Sequence, residues 1–461
     1  MLLSFSLRNF RSFADEQEFS MVASNRYPDH KEHLCPVPGT EERLLRTAII
    51  YGANGSGKSN LIKAVRLVQM LITVGTQPGK PISRQPFLFD AKVRKEPSFF
   101  QLRFVQHERV FDYGFRITDS EVVEEWLFLV QGAKDTVVFE RVSKDNVTTV
   151  ETGPGMSDTA QYGDHAKTIA LAQIGVRGNQ LFLAAIREGL NPADHGPLIR
   201  AVLDWIDSIV VIRPDANFGG LVQWIAGNPA FAVFASRFLQ DASTGVAALR
   251  MENQELDESF GLPIEFAREI LGNAPPGEVR AFEFPGIGMV ALQKGEGQKF
   301  HLQTIRAEHI DNEGKPVTLP LLEESDGTQR LTHLLPTLYQ LQDSHKIYLI
   351  DEIDRSLHPL LAKKFIEFFL RSCATKKGQL IVTTHESNLM DLDLVRRDEL
   401  WFTEKSPTGI TSLYSLADFK VRTDLRIDKG YLQGRFGAIP FLGNLDRLAE
   451  EQLPAGEAPC P

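Results

Sequence analysis

Ala48-Ile49-Ile50-Tyr51-Gly52-Ala53-Asn54-Gly55-Ser56-Gly57-Lys58-Ser59-Asn60 is the stretch on which the reading of this chain turns. Four apolar residues predict a buried strand, and Leu61, Ile62, Val65, Val68 and Leu71 at helical spacing predict a helix from Asn60 to about Ile72. Between them, Gly52 to Ser59 fits the pattern G-x-x-x-x-G-K-S. Glycines let backbone N–H groups wrap an anion, and the start of the following helix adds a favourable dipole. In that setting Lys58 is expected to reach the β- and γ-phosphates of a nucleotide, and the Ser59 hydroxyl to ligate Mg²⁺. Asn54, Gly55, Ser56, Gly57 and Asn60 complete the expected nucleotide contacts.

Downstream, Lys346-Ile347-Tyr348-Leu349-Ile350-Asp351-Glu352 predicts a buried strand ending in two adjacent carboxylates. Asp351 is expected to orient the Mg²⁺ shell. Glu352, on the other side of the chain, can polarise a water in line with the γ-phosphate. The adjacent Asp-Glu pair resembles the ABC ATPases, the group that includes the structural-maintenance-of-chromosomes, RecF and OLD-type proteins. Asn9-Phe10-Arg11-Ser12-Phe13 resembles a strand end of that group whose arginine faces nucleotide phosphate, which implies that role for Arg11. Glu324-Ser325-Asp326-Gly327-Thr328-Gln329-Arg330 is similar to the ABC signature, so Ser325 and Gly327 are expected to bind nucleotide held by an opposite subunit. Thr383-Thr384-His385 resembles the switch-histidine segment, which makes His385 a catalytic candidate beside Glu352. Two departures stand out: Asp326 replaces a glycine, and Leu357-His358-Pro359 carries a histidine where transporter ATPases have an aspartate. Gln180 is the candidate for the glutamine loop.

The bulk numbers exclude other classes. A chain of 461 residues supports several subdomains, and 43% hydrophobic with 24% charged residues is an ordinary globular balance. No stretch approaches the roughly 18–20 apolar residues of a membrane span. Met1 to Arg8 alternates like a strand rather than following the plan of a signal peptide. Cys35, Cys373 and Cys460 are too few for a disulfide framework, so a reducing, cytoplasmic setting is expected. A net charge of −10 leaves DNA open as a ligand but disfavours a DNA-coating role. His30, His33 and Cys35 lie close together but precede no second ligand pair, and are expected to be loop residues rather than a metal site. Asp391-Leu392-Asp393 superficially resembles a TOPRIM D-x-D, yet too little chain follows to house a nuclease.

The expected fold is α/β: an ABC-ATPase head with a mixed or parallel P-loop sheet plus an antiparallel β subdomain, a helical insertion and no long coiled coil. The expected segments are an N-terminal ATPase lobe over 1–84, an antiparallel subdomain over 85–160, a helical insertion over 161–279, a C-terminal ATPase lobe over 280–425 and a tail over 426–461. In the antiparallel part, Phe100/Leu102/Phe104, Tyr113/Phe115/Ile117 and Trp126/Phe128/Val130 alternate with polar neighbours and predict one buried face. Pro336 is expected to kink the helix that follows the signature.

The whole layout, through Arg422, Asp424 and Tyr431 to Pro440, resembles stand-alone ABC-type ATPases of prokaryotic anti-phage modules, among them the RloA/AbiL-type proteins and the ATPase subunit of PARIS. That resemblance implies ATP and Mg²⁺ as cofactors and a head-to-tail homodimer or a higher oligomer built from dimers. It also implies a separate effector, such as a TOPRIM-type nuclease encoded nearby, and a phage trigger protein. The alternative from another class is a RecF-like DNA-repair or DNA-end-binding ATPase. The C-terminal stretch Lys429 to Phe441 is either a docking or sensing loop or a turn packed on the ATPase core.

Overall fold

The strand Thr47–Tyr51 is buried along its whole length because it lies inside a six-stranded sheet covered on both faces. Ala48 and Ile50 point into one apolar cluster, with Leu61, Val65 and Val68 of the helix Lys58–Thr73. Ile49 and Tyr51 point into the other, with Leu334 and Leu338 of the helix Asp326–Leu341 and Phe365 and Phe369 of the helix Pro359–Ser372. The computed structural model describes all residues except 133, 146, 258–261, 285–287, 298, 342–344, 373–376, 421–425 and 440–461.

The sheet runs Ile209–Ile212, Ile347–Ile350, Gln379–Thr383, Thr47–Tyr51, Leu400–Lys405, Thr411–Ser415. Its first five strands are parallel and the last is antiparallel. Register pairs Ile350 with Val382 and Thr383 with Ile50, so three neighbouring strands end at one level, the edge where ligands of parallel sheets bind. A seven-stranded antiparallel sheet of Leu2–Arg8, Gln17–Ser20 and the strands from Ser98–Gln106 to Val147–Thr152 packs on the P-loop helix side. A third, antiparallel sheet spans Ala248–Glu255 to Pro316–Pro320 and leads into the helix Asp326–Leu341. That helix runs through Pro336, whose missing N–H removes one backbone bond from its interior. The fold is therefore α/β with mixed sheets, and among the described residues no long coiled coil occurs.

Two expectations need correction. On the strand Val122–Gln131 the core face carries Leu127 and Leu129, not Trp126, Phe128 and Val130. The residues between Trp126, Phe128 and Val130 are Leu127 and Leu129 and not polar ones, so this strand is apolar on both faces and period two alone cannot choose between them. The pairing decides it: Leu127 lies opposite Tyr113 and Leu129 opposite Phe111, while Trp126 covers Gly114 on the outer face. The stretch 161–279 is not purely helical. Ile209–Ile212 becomes the parallel neighbour of Ile347–Ile350, and Ala248–Glu255 starts the third sheet.

Residues 427–439 of the C-terminal stretch pack on the ATPase core. Tyr431 lies 5.9 Å from the ring of Tyr51, Phe436 lies 5.9 Å from Phe402, and the Tyr431 hydroxyl donates to the Ala438 carbonyl at 3.1 Å. Arg422, Asp424, Pro440, Phe441, Cys373 and Cys460 lie outside the described residues.

Candidate functional site

The turn after Thr47–Tyr51 depends on three glycines at positive φ: Gly52 at 155°, Gly55 at 76° and Gly57 at 120°. A Cβ on Gly52 would lie 2.4 Å from the Thr403 hydroxyl, and one on Gly57 would lie 2.5 Å from the Thr411 hydroxyl. The loop is held by hydroxyls from distant strands. Ser56 Oγ and Thr403 Oγ1 are 2.6 Å apart, and Thr403 donates to the Tyr51 carbonyl at 3.2 Å. Thr411 Oγ1 lies 2.7 Å from the Ser56 carbonyl and 2.8 Å from Ser12 Oγ, which accepts from Asn60 Nδ2 at 2.8 Å. Sequence reasoning missed Thr403 and Thr411, and read Ser12 only as part of a motif.

Lys58 opens the helix with a buried side chain, and its Nζ curls back to donate to the Gly52 carbonyl at 2.7 Å. It also meets His385 Nε2 at 3.0 Å, so that nitrogen accepts and the imidazole is neutral. Burial pulls the Lys58 ammonium down to about 8, partly offset by Asp351, Asp354 and Glu352. His385 is also held below its ordinary value, first by burial and then by the Lys58 charge.

Asp351 is buried at the end of Ile347–Ile350 and accepts from Ser59 Oγ at 3.0 Å and Thr383 Oγ1 at 2.6 Å. The same Thr383 hydroxyl accepts from the Glu352 N–H at 2.8 Å and fixes the turn in which Glu352 stands at φ 50°. Asp354 accepts from the His385 N–H at 3.2 Å and so positions the histidine. The expected lysine, serine, aspartate, glutamate and histidine are thus brought to one sheet edge. Ser59 and Asp351 fit a Mg²⁺ ion: their oxygens already share one hydrogen bond, and carboxylate and hydroxyl oxygens are its preferred donors.

Arg11 stands at φ 52° with its N–H bonded to the Gln85 carbonyl at 2.8 Å. Its Nε is buried without a hydrogen-bond partner, and burial lowers its pKa. Ser325 caps the helix Asp326–Leu341, its Oγ accepting from the Thr328 N–H at 3.2 Å, and it is exposed. A Cβ on Gly327 would lie 2.7 Å from the Ser356 carbonyl, so the start of this helix packs tightly on the loop that follows Glu352. Arg330, on the same helix, is buried with two guanidinium nitrogens unpartnered, and both Glu352 and Asp351 raise its pKa against a larger desolvation cost. Gln180 does not join the site. Its amide is spent on Arg177 and Glu188, and the neighbouring Asn179 bonds Thr76, beyond the far end of a 16-residue helix about 24 Å long.

Residues 48–149 and 230–391, more than half of the chain, match the family described as "AAA domain, putative AbiEii toxin, Type IV TA system". The chain belongs to this family. The matched residues include the P-loop, the Asp351-Glu352 pair, the signature-like helix and His385. As a member of this AAA family it has the fold of an ATP-binding ATPase. Among solved structures it is similar to the SMC head domain from Thermotoga maritima, at 14% identity over 90% of this chain and 98% of that chain, with TM-score 0.35. It is also similar to an SmcHead bound to the C-winged helix domain of ScpA (12%, 90% and 97%, TM-score 0.38). A third is an Smc head domain with an extended coiled coil bound to the C-terminal domain of ScpA derived from Pyrococcus furiosus (12%, 94% and 98%, TM-score 0.36). No curated protein matches the chain. Among the described residues no helix is long and apolar enough to cross a membrane.

Proposed function

We propose that this AAA-family protein hydrolyses ATP with Mg²⁺ at composite sites formed by two copies head to tail, and that it is the sensor and scaffold of an anti-phage module with a separate effector. The observation that carries the ATPase reading is the meeting, at one sheet edge, of the hydrogen-bonded pair Lys58–His385 with Asp351 held by Ser59 and Thr383. Bound Mg²⁺ supplies charge neutralisation on the phosphates, and Ser59 and Asp351 hold it. Lys58 exchanges its carbonyl partners for β/γ-phosphate oxygens, and the loop N–H groups and Arg11 take the rest of the charge. Glu352 orients the attacking water, and His385, steadied by Asp354, faces the γ-phosphate. Ser325 and Gly327, at the exposed start of their helix, supply the γ-phosphate contacts for the nucleotide of the opposite copy.

The family description names a "putative AbiEii toxin" and a "Type IV TA system", which supports a place in a toxin-type module; the separate effector rests on the resemblance to anti-phage ATPases. Of the Asp391-Leu392-Asp393 run, Asp391 is paired with Lys363 at 2.6 Å. The deciding experiment mixes a Ser325→Arg chain with a Lys58→Ala chain. Each alone should be inactive, and the mixture should recover part of the wild-type hydrolysis because one site of each heterodimer is intact. Absence of recovery in verified mixed dimers would defeat the composite site. The purified protein alone should cut neither DNA nor RNA, and co-expression with the neighbouring gene product should yield a stable assembly that is needed for any toxic output.

A further inference from the structure

The loop between the strands Gln17–Ser20 and Leu34–Pro36 holds a second, unrelated constellation. His30 precedes a single turn of 3-10 helix, Lys31–His33, that places His30, Glu32 and His33 around one point. His30 Nδ1 lies 3.3 Å from Glu32 Oε1, His33 Nε2 lies 3.8 Å from the same oxygen, and all three donor atoms fall within 4.8 Å of one another. The imidazole rings stack at 4.9 Å with 22° between planes.

The far nitrogens of both rings are already committed. His30 Nε2 lies 2.8 Å from the Leu392 carbonyl, which can only accept, so Nε2 carries the hydrogen and Nδ1 presents its lone pair. His33 Nδ1 lies 3.0 Å and 3.1 Å from the two oxygens of Glu399, a fully buried carboxylate, which leaves Nε2 facing Glu32. Two lone pairs and a carboxylate oxygen therefore converge on one spot. Such a cluster repels itself unless a cation sits among them.

We propose that His30, Glu32 and His33 bind a first-row divalent cation of the zinc type. At bond lengths of about 2.0–2.1 Å, neighbouring ligand atoms on tetrahedral zinc lie about 3.3 Å apart. One pair already has that spacing, the exposed Glu32 side chain can swing to close its distance to His33, and a shift of the half-buried His30 ring has to close the distance between the two imidazoles. The carboxylate on His33 and the carbonyl on His30 are the outer partners that fix tautomer and ring orientation in metal sites. The loop is braced for the purpose: the buried Arg396 guanidinium donates to the carbonyls of Tyr27 at 3.0 Å, Asp29 at 2.5 Å and Ser24 at 3.2 Å. A cavity of about 440 Å³ beside the ligands, walled by the Lys363–Asp391 pair and Arg371, leaves the remaining coordination positions open to water. Cys35 is not a ligand; its side chain is buried in a separate apolar cluster with Leu3 and Val105. Two imidazoles select zinc-like ions over Mg²⁺, so this site is chemically distinct from Ser59 and Asp351.

The test uses the full chain, stripped with a chelator, loaded with Zn²⁺ in excess Mg²⁺ without nucleotide, and gel-filtered before metal analysis. About one zinc per chain is expected, and the Asp351→Asn variant should retain it. His30→Ala and Glu32→Gln should each weaken zinc binding by about tenfold or more, the low end of what even an outer partner contributes. Co²⁺ in place of Zn²⁺ should give visible d–d bands in the wild type and none in His30→Ala. His33 is buried on Glu399 and its loss would disturb the fold, so the two more accessible ligands carry the test, with circular dichroism verifying each variant. Folded wild type that retains no zinc, or a folded His30→Ala/Glu32→Gln double variant that retains as much as wild type, overturns the proposal and leaves a proton as what holds the cluster together.

Discussion

The two ends of the candidate site are built in opposite ways. At the P-loop, the lysine, serine and aspartate that sequence reasoning singled out are engaged within the same chain: Lys58 on carbonyls and His385, Ser59 on Asp351, Asp351 on Thr383. At the signature-like helix, Ser325 is exposed and bonds only to Thr328 three residues on, while the rest of the helix is buried through Leu331, Leu334, Leu335 and Leu338. A preorganised half and an exposed half on a rigid base are what the proposed site, shared between two copies, would use. Gly327 joins the halves physically, because its contact with Ser356 ties the helix start to the loop after Glu352.

Loss of the P-loop side should have the largest effect. Lys58→Ala removes the compact charge for the β/γ-phosphates, and ATP binding should vanish. In wild type, ATP at about 100 times its dissociation constant should add roughly 2.7 kcal/mol of stability. Thermal melts with and without ATP check this; an undiminished shift in Lys58→Ala would remove the phosphate assignment. Gly327→Ala comes next. Its methyl would meet the Ser356 backbone at 2.7 Å, which cannot rotate away, so the helix start must move. Hydrolysis should fall at least about tenfold, the factor that 1.4 kcal/mol of lost transition-state stabilisation produces, while ATP still shifts the melt. Equal losses of binding and hydrolysis would mean that the two halves are not separable.

Thr411→Val asks how far the P-loop's rigidity comes from outside it. The hydroxyl has one proton, which it donates to the buried Ser56 carbonyl, and Ser12 Oγ lies within hydrogen-bond reach of its lone pairs. Valine keeps the shape and strands that carbonyl, at a cost of about 1–3 kcal/mol. Denaturant melts should show the loss, together with a weaker ATP shift; an unchanged midpoint would mean the hydroxyls are incidental.

These residues also show where sequence reading stops. The P-loop strand, turn and helix were legible because their signals are local: glycines at fixed offsets and one apolar helical face. The Asp351-Glu352 pair was legible for the same reason. Thr403 and Thr411 reach the loop from more than 340 positions away, and a strand threonine has no signature of its own. Ile209–Ile212 was taken into a helical insertion because four apolar residues between helices fit either reading until a partner strand is known. Gln180 has no local signature of a glutamine loop, and the fold places it beyond the far end of the P-loop helix. His30 and His33 were visible, but Glu32 was passed over for Cys35, since side-chain direction in an irregular loop cannot be read from spacing.

The smallest expected effect concerns whether the base of the signature helix is as fixed as the P-loop. His333 lies one turn beyond Gln329, is buried, and accepts a hydrogen bond from the Phe218 N–H at Nδ1, 3.0 Å away. Burial, reinforced by the Arg330 charge, pushes its pKa down from 6.5 to about 4. The folded state therefore keeps it neutral where the unfolded state takes up a proton. Between those two values unfolding binds protons, so stability falls as pH drops below 6.5 and the loss is complete only near pH 4. His333→Asn retains an acceptor oxygen near the Nδ1 position and cannot titrate. From pH 7 to about 5.5 the wild type should lose about 1 kcal/mol more than this variant, because each pK unit of difference is worth about 1.4 kcal/mol. Chemical denaturation at the two pH values measures the difference. Parallel losses in both proteins would mean that water reaches His333, and that the exposed helix start stands on a base looser than the P-loop it is meant to face.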